Sequence, residues 1–164
     1  MKYFFQIGFL IIYWCFFSAQ MCTKDIVYGR DFYTNSVHET FSNDKASVMA
    51  SVQKTLDKMG YAVNVVDESK GEVITGWRPV EAESHYVKLF ERRDYGAADG
   101  SYYQLTVDLS DVGSKIKVAV GTKVKTIVGK LETTGRVENR FLDQLRNDLR
   151  SPNVELTNVG VKNK

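Results

Sequence analysis

Apolar positions follow a different period in each successive stretch of this chain. Residues 1–21 hold a near-unbroken apolar run, Tyr3–Phe17, behind the charge of Lys2. Residues 23–43 place Ile26, Val27, Tyr28, Phe32, Tyr33, Val37 and Phe41 among polar neighbours with no sustained period. That pattern predicts a tether, residues 22–43, with one short strand around Ile26–Tyr28. From there the spacing turns helical. Val48, Val52, Leu56 and Met59 fall on one face, and Ser47, Ser51, Lys54 and Lys58 fall on the other. Ser42-Asn43-Asp44 supplies N-caps and Gly60 a C-cap, so a helix of about 14 residues is expected.

After Gly60 the period becomes alternating. Tyr61, Val63 and Val65 make one strand, and Val73, Thr75 and Trp77 line the next before Pro79 ends it. His85, Val87 and Leu89 alternate with Tyr86, Lys88 and Phe90 in a third strand. Tyr103, Leu105, Val107 and Leu109 give the cleanest half-buried pattern, and Ile116, Val118 and Val120 give a fifth strand after the Asp111–Ser114 turn. A second helical face follows at Val137, Phe141, Leu142, Leu145 and Leu149, which Ser151-Pro152 stops.

This order predicts an α+β fold: an antiparallel meander of about five strands with both helices packed on one face, a helix-grip-like two-layer sandwich. The expected organisation is a leader over 1–21, a tether over 22–43, the α+β domain over 44–150 and a tail over 151–164. That tail either adds an edge strand or stays mobile.

The leader carries the strongest functional signal. One positive charge followed by about 15 apolar residues and Ser18-Ala19 is the layout of an export signal, since a spanning helix needs roughly 20. An uncleaved anchor or a buried first helix are the alternatives, although Phe, Tyr, Trp and Ile leave that helix no polar face. Of the two cysteines, Cys15 lies in the leader, so the remaining chain keeps Cys22 alone and has no internal disulfide. A cysteine directly after an apolar signal resembles a bacterial lipobox, whose thiol receives diacylglycerol. Ala19, Gln20 and Met21 stand where that pattern has Leu, Ala or Ser, and Gly or Ala. Ordinary cleavage after Ala19 or Gln20 is the other reading.

Composition narrows the function classes. The formal charge is +2 with acidic and basic residues interleaved, which offers no footprint for a nucleic-acid backbone. Only His38 and His85 are present, and with Cys22 far from both they suggest no metal site. No Gly-x-Ser-x-Gly elbow accompanies His85, so it reads as an ordinary strand residue rather than a catalytic one. Gly96, Gly100 and Gly113 lie between strands and read as turns, not as phosphate loops. No enzyme activity and no cofactor are expected. The candidate interaction surface is Lys115, Lys117, Lys123 and Lys125, alternating on one strand face, with Trp77 and the further aromatics Tyr86, Phe90 and Tyr102 as candidates to enrich it. Plain solvation of an open sheet face is the simpler account of those lysines.

Taken together, the lipobox-like Cys22, the aromatic tether, the Met59-Gly60-Tyr61 helix-to-strand junction and the closing helix Phe141–Leu149 resemble the helix-grip domains of the envelope lipoprotein BamC and its kin. That family carries two such domains where this chain has one. The resemblance implies a non-enzymatic accessory module, tethered to the outer membrane, facing the periplasm and working through an envelope protein partner. It transfers no binding residue. The competing expectation is a secreted or periplasmic carrier of a small apolar ligand, with Tyr61, Trp77 and Tyr103 lining a cavity between sheet and helices.

Overall fold

The computed structural model describes residues 27–90, 92–96 and 99–150, and the backbone of 154–157 and 160–163. In chain order these form β1 (Arg30–Tyr33), β2 (Val37–Phe41), α1 (Lys45–Lys58), β3 (Val63–Asp67), β4 (Glu72–Thr75), β5 (Arg78–Pro79), β6 (His85–Leu89), β7 (Arg92–Asp94), β8 (Tyr102–Val112), β9 (Lys115–Thr126), β10 (Leu131–Thr133), α2 (Arg136–Arg150), β11 (Val154–Thr157) and β12 (Gly160–Asn163). The leader and Cys22 lie outside the described residues.

The hairpin of β8 and β9 is the scaffold. Its pairs run from Tyr102 opposite Lys125 to Val112 opposite Lys115, and Gly113 takes φ +63° in the connecting turn, a backbone region that favours glycine. Strict alternation then sends Tyr103, Leu105, Val107 and Leu109 to the same face as Ile116, Val118, Val120 and Val124, all buried. On the outer side of β9 lie β1 and β2, end to end. On the outer side of β8 lie β4 and β5, and β3 pairs with β4 to form that edge.

Both helices cover the buried face. In α1 the Asp44 carboxylate accepts from the Ser47 N–H at 2.9 Å. The far end closes with Gly60 at φ +75°, the Tyr61 N–H donating to the Leu56 carbonyl at 2.9 Å. Val48, Val52 and Leu56 from α1, and Phe141, Leu142 and Leu145 from α2, share one core with the strand residues. Each such side chain stabilises the fold by about 1.5–3 kcal/mol on full burial. The helices are tied to each other by Asp148, which accepts from Thr55 and Lys58, and α2 is tied to β2 by a two-pronged Arg146–Glu39 pair at 2.7 and 2.8 Å. The α+β architecture, antiparallel sheet and two covering helices follow the sequence pattern.

Three details depart from it. Residues 30–41, expected within a tether, belong to the sheet: β1 and β2 both pair with β9, and the expected strand at Ile26–Tyr28 begins instead at Arg30. The reason is an irregularity in register. Tyr33 faces Lys123 and Val37 faces Val120, so four steps along one strand answer three along the other. The extra residue flips the inward phase from even to odd, which erases any sustained alternation.

The expected third strand, β6, leaves the meander and forms a separate three-stranded sheet with β7 and β10. Pro79 ends β5, and the chain then turns at Glu81–Ser84, where the Ser84 hydroxyl donates to the Glu81 carbonyl at 2.8 Å. Its partner β10 arrives only after β9. Finally, β11 and β12 pair with each other and join no other described strand.

Candidate functional site

The face of the sheet turned away from the helices carries the charged and aromatic residues expected to form a surface. Register sets who meets whom. Lys123 and Lys125 project from β9 beside Gln104 and Tyr102 of β8, and opposite Tyr33 and Asp31 of β1. Trp77, between β4 and β5, reaches the same spot: its ring lies 5.3 Å from the Lys125 Nζ and 5.9 Å from the Lys123 Nζ. The Lys123 Nζ is also 5.5 Å from the Tyr33 ring. Two ammonium groups are thus held among aromatic faces, an arrangement worth about 0.5–1 kcal/mol per contact at exposed sites.

Asp31 organises the cluster. Its carboxylate meets the Lys123 Nζ at 3.0 Å and the Lys125 Nζ at 3.5 Å. The hydrogen bond from Lys123 holds the Asp31 carboxyl below the usual carboxylate range, and the same bond pushes Lys123 up. Two cations against one anion leave a single positive charge, fixed in place and flanked by aromatic edges. Such a surface suits an acidic group carried by an apolar partner.

The four expected lysines therefore do not form one patch. Lys115 and Lys117 project from the same face of β9, but Lys117 lies six residues from Lys123, about 20 Å along the strand. Ala119 and Gly121 occupy the interval. Trp77 and Tyr102 join the Lys123 end, whereas Tyr86 lies on β6 of the second sheet and Phe90 in the turn after it. Asp31 and Tyr33 join this cluster from β1, a strand whose sequence pattern predicts a tether.

His85, on β6, is fully buried. Its Nε2 lies 3.2 Å from the Thr122 hydroxyl, which is 3.4 Å from a Glu138 carboxyl oxygen, and the Thr34 hydroxyl lies 2.6 Å from the same threonine. Burial holds His85 down to about 4 and pushes Glu138 up. Burial thus disfavours the charged form of each. His85 Nδ1 and Glu138 Oε2 have no partner among the described residues. The threonine between them is a poor proton relay and is packed inside, so this is an internal polar cluster rather than an exposed catalytic pair. His38 stands on β2, facing Ala119 on the open face.

The residues proposed to line an apolar cavity separate. Tyr61 and Tyr103 meet at the end of the helix–sheet interface with hydroxyls 2.9 Å apart, while Trp77 is on the opposite face. Among the described residues no three His, Cys, Asp or Glu side chains converge as metal ligands, and no helix is long and apolar enough to cross a membrane. No protein-family model and no curated protein matches the chain.

Proposed function

We propose that this chain is an exported cell-envelope protein, tethered to the outer membrane through Cys22 and facing the periplasm, that works as a non-enzymatic interaction or accessory assembly module. Its partner is an envelope protein that docks on the open sheet face. The observation that carries this reading is the cluster of Lys123, Lys125, Trp77, Tyr33 and Asp31, which fixes charge and aromatic surface side by side where plain solvation needs neither. The apolar leader and the cysteine after it support the address. The cluster calls for no cofactor.

Two measurements test it. The intact mass of the N-terminal peptide from membrane and soluble fractions should show a diacylglycerol-modified Cys22; an unmodified N-terminus in the soluble fraction would remove the tether. A photo-crosslinking residue at Tyr102 should then capture one defined envelope protein, with capture lost on Lys123→Glu/Lys125→Glu. Capture unchanged by the charge reversal would refute the docking face.

A further inference from the structure

On the other side of the sheet, at the end where α1 closes and α2 begins, lies a cavity of about 230 Å3. It has the wrong chemistry for an apolar ligand. Tyr61 and Tyr103 are 6% and 4% exposed and line it, Arg78 and Glu81 come from the β5–β6 segment, and Arg136 and Arg140 come from the first turns of α2.

The hydroxyl arithmetic points to a ligand. Burial, and then the hydrogen bond with Tyr61, push the Tyr103 hydroxyl up. Two O–H groups sharing one 2.9 Å hydrogen bond employ one proton, because one must donate and the other accept. No described residue accepts the second proton, although both hydroxyls belong to buried side chains lining a cavity. What fits against them is a hydrogen-bond acceptor.

The charges specify which acceptor. Arg136 is partly occupied by Glu83, 3.9 Å away. Arg78 lies 4.5 Å over the Tyr61 ring, and neither it nor Arg140 forms an ion pair among the described residues. Against these two guanidinium groups stands the Glu81 carboxylate, which leaves the cavity one charge positive. We infer that this cavity binds a small organic oxyanion, with the anionic group received by Arg78, Arg140 and the tyrosine pair, and a short apolar body against Met59 and Val137. The volume lies below the roughly 300–1,000 Å3 of drug-sized sites, so the ligand is small. This site shares no residue with the lysine–tryptophan face and stands whether or not that face docks a partner.

Titration of the full chain with benzoate, inorganic phosphate and neutral benzamide, followed through tyrosine-ring and backbone NMR shifts, tests the inference. Saturable shifts centred on Tyr61 and Tyr103 are expected with benzoate and not with benzamide. Saturation by phosphate but not by benzoate would overturn the organic ligand, because the apolar body would then contribute nothing. Arg140→Ala, at an exposed position, should weaken binding about fivefold or more, and Glu81→Gln should tighten it about twofold by removing the like charge. Equal binding of benzamide, weakening by Glu81→Gln, or no saturable shift with either anion would overturn it.

Discussion

Burying His85 makes the fold sensitive to acid, and the size of the effect follows from its surroundings. The side chain is fully buried, packs 5.0 Å from the Tyr103 ring, and has one polar contact, Thr122. The desolvated imidazolium is disfavoured, which moves the group from 6.5 to about 4 on folding. Between those values the unfolded chain binds more protons than the folded one, so stability rises with pH; it is full above 6.5 and drains away as pH falls toward 4. Integrated from pH 7 to 4, the loss assigned to this group is about 3 kcal/mol. Glu138 works in the opposite sense: raised from 4.5, it stabilises the fold below that value and loses the contribution as pH rises through its folded value. The clean measurement is therefore a difference. His85→Phe removes the titrating group, gives up one hydrogen bond and an unpartnered nitrogen, and adds some ring volume at a packed site, so at pH 7 it should cost no more than about 3 kcal/mol, and only the pH dependence is compared. Urea unfolding at pH 7, 5.5 and 4 should show the wild type losing about 3 kcal/mol more than His85→Phe. Superimposable pH dependences would refute the claim that a buried neutral imidazole exists here.

Other positions give independent checks. Phe90 holds φ +43° at the tip of the β6–β7 hairpin and is 94% exposed, so Phe90→Gly should stabilise by up to about 1 kcal/mol through relief of backbone strain, read as a higher urea midpoint. A Cβ on Gly71 would sit 2.6 Å from the Leu109 carbonyl oxygen at φ +74°, so Gly71→Ala should destabilise by more than about 1 kcal/mol and expose the β3–β4 amides to hydrogen exchange. Asp148→Ala strands the buried Thr55 hydroxyl between the helices and should lower stability by about 1–3 kcal/mol in urea unfolding.

The elements easiest to read in the sequence were those whose phase never breaks. Along β8 and β9 each apolar residue takes the same side for the whole strand, and α1 and α2 keep their faces between recognisable ends, so the layers could be inferred. Where one inserted residue reverses the phase, as between Tyr33 and Val37, the edge strands became invisible, and Asp31 and Tyr33 vanished from the candidate surface with them. The departure of β6 had a different cause: its partner β10 lies more than forty residues downstream, a pairing no local period can announce. The Tyr61–Tyr103 pair was seen as cavity lining, but its charged company comes from a turn and a helix start, where periodicity is silent.

Because β1 is stitched into the sheet from Arg30, the leash available to the proposed lipid on Cys22 is short. The segment expected as tether, 22–43, could have paid out about 70 Å of chain; Thr23–Gly29 spans at most about 25 Å. Asp31 and Tyr33 stand at the very end of that leash. A domain anchored in the proposed way could not sweep far from the membrane for a partner. With the proposed lipid on Cys22, the lysine–tryptophan face would stay within a membrane thickness of the lipid surface, and a partner docking there would have to come to the membrane to be met.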